Sequence, residues 1–372
     1  MYLKNLTISN FKNYTDANIE FSEKINCFVG ENGEGKTNLL DAIYYLSFCK
    51  SYFNLVDMQN IRHETEFFAI HGNYIRKDEH QDLLSCIQKK NQRKVFKINK
   101  KEYDRLADHI GLFPLVMISP YDSDLINEGS EIRRKFIDSV ISQFDRIYLE
   151  DLINYNKALQ QRNALLKHFA ENNIYNADSL ELWNFQLQKH GENIYQKRKI
   201  FLNEFTPLFQ NFFSLISGSK ENVDINYFSQ LNNNDLEELL KLNLIKDRAL
   251  QYTSVGIHKD DLIFNMDSFA VKKYGSQGQQ KSFIIALKLA QFEYTKNIKG
   301  FKPVLLFDDI FDKLDNARVE QLIKLVADKN FKQVFITDTH SERIIKIFKS
   351  IEIACKIFNV NKGKVTEISE DV

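Results

Sequence analysis

Residues 27–38 read Cys-Phe-Val-Gly-Glu-Asn-Gly-Glu-Gly-Lys-Thr-Asn, a pattern whose residue types and spacing suit phosphate binding. An apolar run over residues 25–29 feeds a Gly-x4-Gly-Lys-Thr loop, and a helix-like segment follows from Lys36 to about Leu46. Gly30, Gly33 and Gly35 let the backbone curl, so that N–H groups around Glu31, Asn32 and Glu34 point inward at β- and γ-phosphates. Lys36 neutralises phosphate charge and the Thr37 hydroxyl can ligate Mg²⁺. The helix N-terminus through Asn38 adds its positive dipole end. A Gly-rich connector is the bland alternative; the flanking strand and helix favour a nucleotide.

A phosphate loop needs acidic partners. Residues 303–309, Pro-Val-Leu-Leu-Phe-Asp-Asp, form a buried-strand run ending in two carboxylates, a Walker B pattern. Asp308 would hold Mg²⁺ directly or through water, and Asp309 could orient or deprotonate the attacking water. Asp is one methylene shorter than the Glu usual at that second position in ABC-type ATPases, which makes slow ATP hydrolysis the expectation. Between loop and acids lies Gly275-Ser276-Gln277-Gly278-Gln279-Gln280-Lys281-Ser282, ahead of an apolar helical run over residues 283–292. It resembles the ABC-type signature, which faces the γ-phosphate bound by the other subunit. On that resemblance Ser276, Gly278 and Gln279 contact nucleotide in trans, and Leu314-Asp315 fits the loop lining the dimer seam. Residues 334–340, Val-Phe-Ile-Thr-Asp-Thr-His, follow a strand as a switch loop should; His340 suits a surface histidine or a γ-phosphate sensor.

The elements that must position these residues fall into two styles. Alternating apolar runs at residues 3–9, 17–21, 25–29, 67–74, 83–88 and 94–98 read as strands, as do 304–307, 334–337 and 354–359. From about Tyr121 to Leu250 the periodicity is helical, with segments near 131–143, 149–167 and 179–205, breaks at 172–178 and 232–235, and one proline, Pro207. The fold expected is α/β: an ABC-type P-loop ATPase head, with a mixed sheet, an antiparallel β subdomain and an inserted helical lobe. Residues 1–120 and 251–372 would build the head and 121–250 the insertion. The insertion lacks sustained heptads, which argues against a long coiled-coil arm.

Bulk properties agree. At 372 residues the chain exceeds what one core usually organises, and 43% hydrophobic content with 30 Phe and 16 Tyr can fill a large interior. No apolar run approaches the roughly 18–20 residues that span a bilayer, and the first residues do not read as a signal peptide. A cytoplasmic protein without a membrane partner is expected. Cys27, Cys49, Cys86 and Cys355 lack metal-ligand spacing and read as free thiols. Fifty basic and 50 acidic residues balance, so nucleic-acid binding must come from local patches.

Several blocks outside the nucleotide motifs resemble the RecF family of bacterial recombinational-repair ATPases over nearly the whole length. They are Phe11-Lys12-Asn13-Tyr14; Ser119-Pro120-Tyr121-Asp122 with residues 133–138, Arg-Arg-Lys-Phe-Ile-Asp; Tyr155, Ala158, Leu159, Gln161, Arg162, Asn163, Leu165, Leu166 and Lys167; and residues 256–262, Gly-Ile-His-Lys-Asp-Asp-Leu. Departures are Tyr121 where Glu is usual, Ile257 where Pro is usual, and the neighbourhood of Asp338 and His340. The resemblance implies an ATP- and Mg²⁺-dependent homodimer that binds single- and double-stranded DNA at gaps. It further implies action with RecR and RecO to promote RecA loading, replication restart and the SOS response, with weak hydrolysis opening the dimer. A transporter ATPase subunit shares the three nucleotide motifs but not these blocks. Chromosome-organising heads need long coiled coils, and small-molecule kinases need no signature.

Residues 89–101 carry Lys89, Lys90, Arg93, Lys94, Lys97, Lys100 and Lys101 without an acid, reading as a hairpin with a basic tip. Such a stripe can contact phosphates without reading bases, or protect a sheet edge. Arg133, Arg134 and Lys135 form a second basic group for which pairing with acids such as Asp138 is favoured; Arg162 suits either role.

Overall fold

The computed structural model describes residues 1–54, 56–76, 78–218, 221–310, 318–319, 321–322, 325, 331–339 and 355–368. The chain divides into two compact units: Met1–Asp122 with Lys281–Val372, and Ser123–Gln280.

In the first unit, strands β1 (Tyr2–Phe11) and β2 (Tyr14–Glu20) form a hairpin, followed by β3 (Ile25–Val29) and helix α1 (Lys36–Phe48). Strands β4 (Phe67–Ile75), β5 (Gln81–Lys89), β6 (Val95–Ile98), β7 (Lys101–Glu102) and β8 (Leu115–Ile118) come next. An antiparallel sheet runs in the order β2-β1-β4-β5-β6-β7. Its inward residues largely alternate as a half-buried sheet requires, with breaks that include the step from Leu3 to Leu6, both buried. A register shift against β4 between Leu3 and Asn5 turns the second residue inward.

The second half of the unit adds β12 (Val304–Phe307), β13 (Val334–Asp338), β14 (Cys355–Asn361) and β15 (Lys364–Ile368). These join the earlier strands in a sheet ordered β15-β14-β3-β13-β12-β8, parallel except for the edge pair β14–β15. All five residues of β3 are buried, as are all four of β12 and of β8, which is why these strands read as unbroken apolar runs. Helix α1 is buried at every position from Leu39 to Phe48, in one core with Leu6, Ile8 and Ile70 of the antiparallel sheet and Phe28, Leu306 and Phe335 of the parallel one.

The second unit holds α2 (Asp124–Asn127), α3 (Ser130–Ser142), α4 (Arg146–Asn172), α5 (Ala177–Ser217), α6 (Leu236–Leu242) and α7 (Leu244–Leu250). The break between the two long helices is chemically marked. Asn173 ends α4 in a left-handed conformation, and the Asn176 side chain caps α5 by accepting from Ser179 N. Pro207 lies inside α5.

This unit is not wholly helical, and its end falls later than expected. Strands β9 (Val223–Phe228), β10 (Asp261–Met266) and β11 (Phe269–Ala270) form a sheet ordered β11-β10-β9, followed by α8 (Val271–Tyr274). Pairing of β10 with β9 from Asp261↔Phe228 to Met266↔Val223 keeps the segment after residue 251 in the second unit. Helix α9 (Gln277–Lys299) begins there and continues into the first unit. No helix among the described residues is long and apolar enough to cross a membrane.

Candidate nucleotide-binding site

Strand β3 delivers the chain to Gly30, where φ is 152° and a Cβ would stand 2.3 Å from the Val360 carbonyl oxygen. Only glycine lets the loop leave the sheet so close to β14. Gly35, with φ of 115°, is the N-cap of α1. No side chain caps that helix and no acid sits in its first turn, so its leading N–H groups are left for an anion. The loop is held from both sides. Asn13 Nδ2 and Gly363 N donate to Glu34 O at 3.0 and 3.1 Å, and Tyr14 Oη donates to Gly35 O at 3.0 Å. Lys362 N donates to the Glu34 carboxylate, and Asn38 Nδ2 donates to Asn13 Oδ1 at 2.8 Å. The Asn-Tyr turn after β1 and the β14–β15 turn therefore set the loop's shape.

Lys36 is buried, and its Nζ donates to Gly30 O at 2.6 Å and Glu31 O at 2.8 Å. Burial lowers its pKa, opposed by the nearby carboxylates of Asp309 and Asp308. The ammonium is thus held inside the loop among the backbone groups that would face phosphate.

Asp308, at the end of β12, is 4% exposed, and burial raises its pKa. Thr37 Oγ1 donates to it at 2.9 Å from Oδ1 and 3.1 Å from Oδ2. Two oxygens sharing an octahedral Mg²⁺ at about 2.0–2.1 Å each lie roughly 2.9 Å apart. The donor set and its spacing therefore fit that cation, whose charge would favour the ionised form that burial opposes. Thr337, the fourth residue of β13, was not singled out by sequence reasoning. Its Oγ1 accepts from Asp309 N at 2.9 Å and donates to Asp308 Oδ1 at 2.9 Å, linking the two acids. Asp309 itself turns to a positive φ of 47° as the chain leaves the strand.

The signature residues Ser276, Gly278 and Gln279 stand at the start of α9. Ser276 N donates to Gln279 Oε1 at 2.8 Å and Gln279 N to Ser276 Oγ at 3.3 Å, a reciprocal capping box. Further along α9, within the first unit, buried Lys288 lies 2.7 Å from Asp122 Oδ1 and 3.2 Å from Tyr52 Oη. Tyr52 N donates to Asp41 Oδ1 on α1, whose Oδ2 meets Lys12 Nζ at 2.6 Å. A chain of buried ion pairs thereby ties this part of α9 to the helix behind the phosphate loop. Asp122 and Lys12 come from blocks that the sequence flagged without a role; Tyr121 is exposed, its ring edge-on to Phe53. Leu314, Asp315 and His340 lie outside the described residues.

The basic stripe is corrected in part. Lys94 is not available to phosphates: its Nζ is 2.6 Å from Asp57 and lies over the Tyr45 ring, with the side chain 9% exposed. Arg93 donates to Asp104 O at 2.8 Å while remaining exposed, and Lys90 pairs with Glu66 at 3.0 Å. Lys89, Lys100 and Lys101 are exposed and Lys97 half-buried. Arg133 pairs with Asp261 at 2.7 Å rather than with Asp138, which takes Arg198. Arg134 donates to Asp260 O, and Lys135 pairs with Glu131 one turn away. Arg162 is fully buried against Asp247, Thr253 and Asn184, a core role.

A parallel sheet with a phosphate loop after β3, paired acids after β12 and a signature at the start of α9 define an ABC-type P-loop ATPase head. The family model described as RecF/RecN/SMC N terminal domain matches residues 2–366. A relative from Flavobacterium johnsoniae, named DNA replication and repair protein RecF, is 55% identical over 360 residues, covering 97% of this chain and 100% of the relative. A solved structure of the recombination mediator protein RecF with ATP, in the RecFOR pathway, is similar at a TM-score of 0.90 and 30% identity, over 99% of this chain and 98% of that one. The Smc head domain from Pyrococcus furiosus shares the fold at a TM-score of 0.59 and 18% identity, over 99% of this chain and 96% of that one. The chain belongs to the RecF family.

Proposed function

We propose that the chain is an ATP-dependent DNA-binding switch of recombinational repair. The observation that carries this reading is the meeting of the Thr37 hydroxyl and the Asp308 carboxylate, 2.9 Å apart, at the uncapped N-terminus of α1. Residues 30–38 cradle the β- and γ-phosphates of ATP, Lys36 exchanging its two carbonyl contacts for phosphate oxygens. Mg²⁺, when bound, would supply positive charge against the phosphate oxygens. Thr37 and Asp308 would hold it, and Asp309, braced through Thr337, orients the attacking water. Ser276, Gly278 and Gln279 of a second copy close over the γ-phosphate, so that ATP joins two heads and hydrolysis, slow with Asp at position 309, releases them. The names of the relatives, DNA replication and repair protein and recombination mediator of the RecFOR pathway, support DNA as the ligand and repair as the setting. On the family resemblance the closed dimer holds DNA at single-strand gaps and acts in the cytoplasm with RecR and RecO in loading RecA, in replication restart and in SOS induction. Exposed Lys89, Lys90, Arg93, Lys100 and Lys101, with Lys97, remain candidate phosphate contacts.

Fluorescence anisotropy with a gapped duplex tests the reading, using no nucleotide, ATP, a slowly hydrolysed analogue, and Lys36→Met. Binding is expected only with nucleotide and is expected to vanish in the variant. Tight nucleotide binding with no DNA binding, even with RecR added, would assign the head to another partner.

A further inference from the structure

We infer that Glu221 is a positioning residue for the signature, fixing which way the Gln279 amide faces and through it the capping turn that holds Ser276. The inference rests on the reading of Ser276 as a γ-phosphate contact. Glu221 lies between α5 and β9, and its Oε1 accepts from Gln279 Nε2 at 3.0 Å. An ionised carboxylate only accepts, so the NH₂ end of the amide must face it and the carbonyl end must face away. That carbonyl, Gln279 Oε1, receives Ser276 N at 2.8 Å. Ser276 Oγ in turn accepts from Gln279 N at 3.3 Å. With an oxygen lone pair so engaged, the serine hydroxyl presents its hydrogen as the remaining donor, which is what an arriving phosphate oxygen needs.

Two features argue that orientation, and not charge, is what Glu221 supplies. A carboxylate beside a phosphate site repels the ligand, so its charge opposes closure. Among the described residues its other oxygen, Oε2, is buried without a hydrogen-bond partner, a costly placement that the bond from Gln279 to Oε1 must offset.

The experiment compares ATP-driven dimerisation, by sedimentation, with nucleotide affinity of the dilute monomer, by a fluorescent ATP analogue. The proteins are wild type, Glu221→Gln, Glu221→Lys and Ser276→Arg. A lysine only donates and so turns the Gln279 amide around, setting NH₂ against Ser276 N. E221K is expected to raise the concentration for half-dimerisation about tenfold or more, with monomer affinity unchanged. E221Q, which can offer its carbonyl to Gln279, is expected within about twofold of wild type. In a Gln279→Ala background Glu and Lys at 221 should dimerise alike. If E221K fails to fold, Glu221→Leu, which accepts no hydrogen bond, is expected to show the same loss. E221K dimers as tight as wild type or tighter, with Ser276→Arg monomeric, would overturn the role of Glu221 while leaving the trans signature standing. A penalty that persists in the Gln279→Ala background overturns it too. Normal ATP-driven dimers in Ser276→Arg would instead remove the signature reading itself, and this inference with it.

Discussion

At the scale of single residues, Thr337 is the link on which the paired acids depend. It accepts from Asp309 N and donates to Asp308 Oδ1, so one hydroxyl fixes the carboxylate of the first acid and the backbone of the second. Thr337→Val keeps the shape and removes both bonds; ATP affinity is expected to stay within about threefold while single-turnover hydrolysis slows roughly tenfold or more. Asp309→Asn should slow the same step, and hydrolysis at the wild-type rate would take Asp309 out of the chemistry. Lys36, Thr37, Asp308 and Asp309 were legible because each motif is contiguous and its neighbours in the chain are its neighbours in space. Thr337 was not, since residues 334–337 read as a strand leading to a switch loop whose candidate was His340, and its partners lie 28 and 29 positions earlier. Lys94 misled for the same reason. A run of like charge looks solvated until Asp57, 37 positions away, is placed beside it.

At the scale of elements, the approach of β3 to β14 is what shapes the phosphate loop. A methyl at Gly30 would press on the Val360 carbonyl, a backbone atom with little freedom to yield, in a conformation that alanine rarely adopts. Gly30→Ala is expected to lower stability by about 1–3 kcal/mol in urea unfolding and to weaken ATP binding. Strands buried on both faces, such as β3 and β12, were readable as apolar runs, and the three longest helices by period and by the asparagines between α4 and α5. The β9–β10 pairing was not, because six-residue strands in a long helical stretch carry too little period to stand out, and without it the insertion seemed to end near residue 250. The blocks at 133–138 and 256–262 gain a physical meaning here. Arg133 meets Asp261, and Arg198 meets both Asp138 and Asp260, so these blocks supply an ionic frame of the second unit, buried at Arg198 and part-buried at Arg133.

At the scale of the molecule, each unit carries an interior histidine kept neutral, buried at His109 and half-buried at His258. His109 faces the Leu46 carbonyl and Tyr103 Oη; His258 faces the Thr253 carbonyl and Tyr155 Oη. Burial pushes both down to about 4. Their unfolded forms take up a proton below about 6.5, while the folded forms do so only near 4, so stability is lost as pH falls through that window. By pH 5 each should cost about 2 kcal/mol, and urea unfolding at pH 7 and pH 5 should show the fall diminished in His109→Gln and in His258→Gln. The order of strands has a further consequence, in time. The antiparallel sheet draws only on residues 2–102, and the second unit is one uninterrupted stretch, so both can form while a ribosome is still at work. Strand β3 cannot join them: Cys27 is flanked by Ile336 and Ile357, so both of its neighbours are translated long after it. The phosphate loop is therefore made early and given its floor late, and a nascent chain gains the capacity to hold nucleotide only once β13 and β14 have emerged.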